Sequence, residues 1–227
     1  MTQAPPFPAD APRIASFGET ALVFEAPGAF ELATQQRIWA LSRAAEAWEG
    51  IVETGIGVTN LLVVYDPRQW SAQRLRETLA QAWAGLPPLE LPGRLWEFPV
   101  VYGGERGADL ATVARSAGVS PREAASLHAE PLYTVIAPSV TPGFGYLFGM
   151  NPRLATPRRQ TPVMLKEPGS VSVGGAQTMI GTMAGPSGWH AIGYTLGYRH
   201  PFDPFADPPL PIAVGDHIRF VIAEVLP

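Results

Sequence analysis

The sequence predicts an α+β fold in two parts, a small α+β sandwich followed by a closed β-barrel. Two patterns carry this reading. Strands followed by an amphipathic helix occur twice before residue 86; beyond a proline-rich stretch, short apolar runs alternate with Gly/Pro turns. Size and composition agree with it. The chain has 227 residues, enough for one large domain or two small ones at roughly 150 residues each. Its 46% hydrophobic content can fill cores, so the 23 glycines and 25 prolines belong to turns and not to a disordered chain.

Residues 1–12, MTQAPPFPADAP, read as a flexible leader. Arg13–Gly18 and Ala21–Glu25 read as two short strands across a turn. Phe30–Trp48 is a helix because Ile38, Leu41, Ala45 and Trp48 recur at steps of three and four, and Gly50 stops it. Ile51–Thr54 and Leu61–Tyr65 are strands. Ser71–Ala84 is a second helix that turns Leu75, Leu79, Ala82 and Trp83 inward and ends at Gly85. The stretch 86–94 (LPPLELPGR) reads as a linker between a domain at 13–85 and another at 95–227.

After the linker, Leu95–Tyr102 is a strand and Ala108–Ala117 a helix closed by Gly118. Ser120-Pro121-Arg122-Glu123 has the form of a capping box and opens a short helix to about Ala129. Leu132–Ala137 is a strand. Ser170–Val173, Met179–Thr182, His190–Tyr194 and His217–Val225 supply further strands of the barrel.

Several function classes are excluded. A formal charge of −4 provides no basic field for nucleic acid or an anionic membrane. With no cysteine there is no disulfide, thiol nucleophile or Cys-ligated metal, which fits a cytoplasmic protein. The N-terminus lacks the basic start and apolar run of a signal peptide, and no apolar run is long enough to span a membrane.

Gly55-Ile56-Gly57-Val58-Thr59-Asn60 begins like a dinucleotide loop. Asn60 stands at the last glycine position, however, and a strand follows where a phosphate-binding helix is needed, so a hairpin turn is the better reading. Neither a Walker-type loop nor a Gly-x-Ser-x-Gly elbow occurs. The histidines His128, His190, His200 and His217 form no metal-binding pair in sequence. A distal grouping of His190, Asp203, Asp216 and His217 competes with the reading of structural, hydrogen-bonded histidines. Thr141–Gly149, rich in glycine and aromatics, is read as unfit for a helix or a central strand. It is either a packed loop or the rim of a ligand pocket. Arg153, Arg158 and Arg159 suit a carboxylate or phosphate, or are solvated loop residues.

With these pieces in order, the chain resembles the 5-oxoprolinase B-subunit family, also called KipI-like or allophanate hydrolase subunit 1, from about Arg13 to Glu224. The resemblance rests on Gly18–Leu22, Gly57–Pro67, Val100–Glu105, Ala108–Leu110, Ser120–His128, Thr141–Leu147, Leu154–Arg159, Gly169–Val171, Gln177-Thr178 and Gly188-Trp189. The chain departs from the family pattern at Thr161-Pro162-Val163 and Gly174–Gly181, in barrel loops placed to face a ligand.

This resemblance implies a ferredoxin-like α+β sandwich followed by a cyclophilin-like β-barrel. It implies a subunit, without a complete active site of its own, of an ATP-dependent complex that opens 5-oxo-L-proline to L-glutamate. ATP with Mg belongs to the complex, and the partners are homologues of its A and C subunits, the latter bound through the barrel. Two alternatives go with the same resemblance, an inhibitor of a sensor histidine kinase and a relative of the carboxyl-transfer portion of urea carboxylase. The expected substrate pocket is lined by Phe144, Tyr146, Arg158, Gln177 and Trp189. Arg158 would take the substrate carboxylate, with Arg159 as its rival, and Gln177 would take the lactam amide.

Overall fold

The computed structural model describes residues 11–139, 141–165, 167–199 and 202–227. Most of the expected leader, together with Lys166 and His200, lies outside them. The chain divides into two compact units, Met1–Glu90 and Leu91–Pro227.

The first unit runs β1 (Arg13–Ser16), β2 (Ala21–Glu25), α1 (Leu32–Glu46), β3 (Ile51–Ile56), β4 (Asn60–Tyr65) and α2 (Ala72–Gly85). The sheet has the order β1-β2-β4-β3, with every neighbouring pair antiparallel. A ferredoxin-like sandwich runs βαββαβ, and its last strand lies beside its first. Here β1, from the start of the chain, takes the place of that last strand, so the sandwich is permuted. Leu22 and Phe24 of β2 and Leu61, Val63 and Tyr65 of β4 point to one face. There they meet Ile38 and Leu41 of α1 and Leu75, Leu79 and Trp83 of α2. The Ser71 hydroxyl caps α2 by accepting from Arg74 N–H at 3.2 Å. Gly57–Asn60 is the hairpin turn the sequence indicates. Gln35 of α1 reads it, its amide donating to Gly57 O at 3.0 Å and accepting from Thr59 N–H at 2.8 Å.

The stretch expected as a linker is fastened at both ends. Arg37 Nε donates to Leu86 O at 3.1 Å and Leu89 N–H donates to Gln36 O at 3.2 Å. At the other end, Arg94 N–H donates to Asp216 Oδ1 at 2.8 Å.

The second unit contains β5 (Leu95–Tyr102), a 3-10 turn at Glu105–Gly107, α3 (Leu110–Ala117), α4 (Pro121–Ala129) and β6 (Tyr133–Pro138). It continues with β7 (Gly145–Phe148), β8 (Val163–Leu165), β9 (Ser170–Gly174), β10 (Gln177–Ile180), β11 (Gly185–Ser187), β12 (His190–Thr195) and β13 (His217–Val225). The barrel has the order β10-β7-β6-β13-β5-β12-β9 and closes through the β9–β10 pair. β5 and β13 run parallel, from Leu95 beside His217 to Tyr102 beside Val225. β8 and β11 pair with each other outside the barrel.

The Thr141–Gly149 stretch corrects the sequence reading. Gly145–Phe148 is a regular wall strand between β6 and β10. Glycine is what permits it, because a Cβ at Gly145 would lie 2.6 Å from both Ala137 O and a Val135 methyl.

The Ser120 hydroxyl accepts from Glu123 N–H at 3.2 Å, as the capping box requires. The Glu123 carboxylate does not complete the box by reaching back; it pairs with Arg153 at 3.5 Å. α4 delivers His128 to the interior, fully buried. Thr178 Oγ1 donates to Ser172 O at 3.0 Å, so its lone pair accepts from His128 Nε2–H at 2.8 Å. That leaves Nδ1 as the acceptor for the Tyr102 hydroxyl, also at 2.8 Å. The Phe220 ring lies 4.7 Å from the imidazole centroid. Burial holds the imidazole neutral, with its pKa lowered to about 3.

Candidate functional site

The candidate site lies on the outer wall of the barrel. Val171 and Val173 of β9 point into the core, so Ser170, Ser172 and Gly174 face outward by strand alternation. Trp189 covers Gly174, where a Cβ would fall 2.6 Å from the indole ring. Gln177 is the cross-strand partner of Gly174, and partners project to the same face. Tyr146 lies beside Trp189, ring centroids 6.3 Å apart. The Arg158 guanidinium sits over the Trp189 ring at 5.3 Å.

This arrangement follows from backbone clamps. Thr156 and Gly175 exchange two hydrogen bonds, of 3.1 and 2.7 Å, and Arg159 N–H donates to Gly188 O at 2.7 Å. On the strip between these clamps, Arg158 reaches Trp189 and Arg159 reaches Asp109. The three arginines therefore part company. Arg153 pairs with Glu123, Arg158 stacks on Trp189, and Arg159 pairs with Asp109.

Trp189 thus meets both Tyr146 and Arg158, and Gln177 projects to the face that Trp189 covers at Gly174. The Gln177 amide nitrogen is buried without a hydrogen-bond partner, a donor left for something else to satisfy. Phe144 corrects the expected set. It is buried in the barrel core against Phe98, ring centroids 5.9 Å apart, because it precedes β7 and turns inward with the apolar residues.

A cavity of about 390 Å3 opens further along the same wall, beneath β8. None of the five expected residues lines it. Its lining includes Asp109, Arg106, Arg159 and Ser170. Asp109 precedes α3, yet its carboxylate does not cap that helix. Instead Oδ1 accepts from Arg159 Nη2, and Oδ2 accepts from Ala191 N–H at 2.9 Å. Sequence reasoning missed this group because Asp109 and Arg159 lie 50 positions apart and no spacing signals the pair.

The grouping of His190, Asp203, Asp216 and His217 is not a metal centre. Asp216 is committed to Arg94 N–H at 2.8 Å, Trp96 Nε1–H at 2.8 Å and Ala213 N–H at 3.0 Å. His190 Nε2 donates to Pro157 O at 3.0 Å. Among the described residues no group of three or more His, Asp or Glu is placed to hold a metal ion. Among them, too, no helix is long and apolar enough to cross a membrane.

Comparison with known proteins agrees with this fold. The family described as carboxyltransferase domain, subdomain C and D, matches residues 12–212. The 5-oxoprolinase B subunit of Haemophilus influenzae is 38% identical over 212 residues, covering 93% of this chain and 98% of that protein. The protein of the same name from Escherichia coli O157:H7 is 39% identical over 204 residues, covering 90% and 93%. The fold also occurs in the crystal structure of K. lactis urea amidolyase, with a TM-score of 0.77 at 17% identity over 94% of this chain and 15% of that one. Matched over residues 12–212, the chain belongs to the carboxyltransferase subdomain C and D family and, by its identity to those subunits over most of its length, to the 5-oxoprolinase B-subunit family.

Proposed function

We propose that the chain is the B subunit of an ATP-dependent 5-oxoprolinase, acting with homologues of the A and C subunits to open 5-oxo-L-proline to L-glutamate. The observation that carries this reading is the end-to-end match to subunits of that name in two organisms, at 38% and 39% identity. The chemistry explains the need for ATP. A five-membered lactam is unstrained and resonance-stabilised, so water attacks its carbonyl slowly. Transfer of the γ-phosphoryl group to the carbonyl oxygen, with ADP leaving, makes that oxygen a leaving group. Water then adds at the carbon, the C–N bond breaks to free the amine and leave a γ-glutamyl phosphate, and a second water hydrolyses that acyl phosphate to glutamate and phosphate.

In this reading ATP and Mg belong to the complex as a whole. The Gly55–Asn60 turn joins two strands, β3 and β4, and opens no helix. The contribution of this chain is to the substrate. Tyr146 and Trp189 offer flat walls for the ring, the unpaired Gln177 amide a donor for the lactam oxygen, and Arg158 a cation for the carboxylate. The barrel unit also carries the surface for the C homologue in this reading.

The test is reconstitution from the purified chain and the A and C homologues of the same genome. Glutamate and phosphate should form from 5-oxoproline and ATP with all three present and not when this chain is omitted. A complete mixture that forms no glutamate overturns the proposal. Within an active complex, Arg158→Ala should raise KM for 5-oxoproline about tenfold. Its exposed guanidinium is screened by water, which limits the loss to about 1–2 kcal/mol. Arg153→Ala, which removes only the exposed pair with Glu123, should leave KM unchanged. Equal behaviour of the two variants removes Arg158 from the site.

A further inference from the structure

The cavity beneath β8 is a second place on the barrel wall. Gly174 lies under Trp189, whereas the cavity reaches Ser170, about 13 Å further along β9 at the usual rise of a strand. The Arg159 guanidinium at this cavity is held from behind. Its Nη2 donates to Asp109 Oδ1, and Asp109 is fixed in turn by Ala191 N–H, so the group has little freedom to swing. Yet Arg159 Nε–H is buried with no acceptor. A buried donor on a charged group is costly to leave unmet, and a ligand oxygen would satisfy it.

A second cation, Arg106, also lines the cavity, stacked 4.1 Å over Tyr194 and paired with Glu167 at 3.3 Å. The cavity wall also includes Ala108, Val163 and Leu165, apolar surface for a hydrocarbon body. A single carboxylate can share Arg159 with Asp109, each taking a different N–H of the guanidinium, and phosphate has no hydrocarbon body to lie on the apolar wall.

We propose that this cavity binds a small monocarboxylate with an apolar body, its oxygen accepting from Arg159 Nε–H and its body lying beneath β8. The site is independent of the oxoprolinase reading and of the Trp189 face.

Calorimetry on the intact isolated chain at neutral pH tests it, with cyclopentanecarboxylate, cyclopentanecarboxamide and inorganic phosphate as ligands. The carboxylate should bind with Kd below about 10 mM and the amide at least about tenfold more weakly, while phosphate should give no signal. Arg159→Gln should weaken carboxylate binding at least about tenfold. Ala108→Leu fills the cavity from an exposed position, leaves both ion pairs in place and should abolish binding, which keeps the test decisive if Arg159→Gln folds poorly. Three results overturn the proposal: no carboxylate binding, phosphate or the amide binding as tightly as the carboxylate, or binding that survives Ala108→Leu and is lost in Arg158→Ala.

Discussion

Replacing His128 by alanine is expected to destabilise the barrel unit by about 3–5 kcal/mol. The imidazole is fully buried and ringed by Tyr102, Tyr133 and Phe220, so truncation leaves a void among aromatics. It also strands the Tyr102 hydroxyl, which then has no acceptor in the core. The same residue makes stability depend on pH. Its pKa is about 3 in the fold, whereas an exposed histidine titrates near about 6.5, so below that value the unfolded chain binds a proton the folded one refuses. The contribution is complete above about pH 6.5 and is lost progressively as pH falls toward 3, the loss reaching about 2 kcal/mol at pH 5. Urea unfolding at pH 7.5 and pH 5 measures this. His128→Gln, which can donate to Thr178 and accept from Tyr102, should lose that part of the pH dependence. Equal pH dependence in the two proteins removes His128 as its source.

Asp216→Ala is expected to cost about 3–5 kcal/mol, although the residue touches no candidate ligand. Its buried carboxylate accepts from Arg94 N–H, Trp96 Nε1–H and Ala213 N–H, three donors left unmet by alanine. These bonds tie the start of β5 to the start of β13, where the parallel pairing opens with Leu95 beside His217. Asp216→Asn keeps one acceptor oxygen and should recover part of the loss. Denaturant midpoints of the two variants test the assignment, and an Asp216→Ala midpoint equal to wild type refutes it.

Most elements were legible because their signals are local. The steps of three and four in Ile38, Leu41 and Ala45 and the Ser71 and Ser120 caps depend only on near neighbours, and they place α1, α2 and α4 within a residue or two. β7 was misread for the opposite reason. Its glycine reads as a break in the sequence, and only the approach of Gly145 to Ala137 O makes that glycine a requirement of the barrel wall. Phe144 and Tyr146 show the same limit. Their spacing suits one face, but the turn into β7 sends Phe144 to the core and leaves Tyr146 beside Trp189.

The sequence by itself determined the α+β class, the change of texture near residue 86 and, through the order of its motifs, the family. Each of those is written in short-range periodicity or in the succession of segments. Only the tertiary structure decided that β1 completes the sandwich sheet, that β5 and β13 run side by side, and that Arg158 and Arg159 separate to Trp189 and Asp109. The most distant of these pairings are set far apart in the chain, with 50 positions between Asp109 and Arg159 and 122 between Leu95 and His217. Partners so distant are chosen when the whole wall packs and its buried donors and acceptors find one another, and no local pattern records that choice.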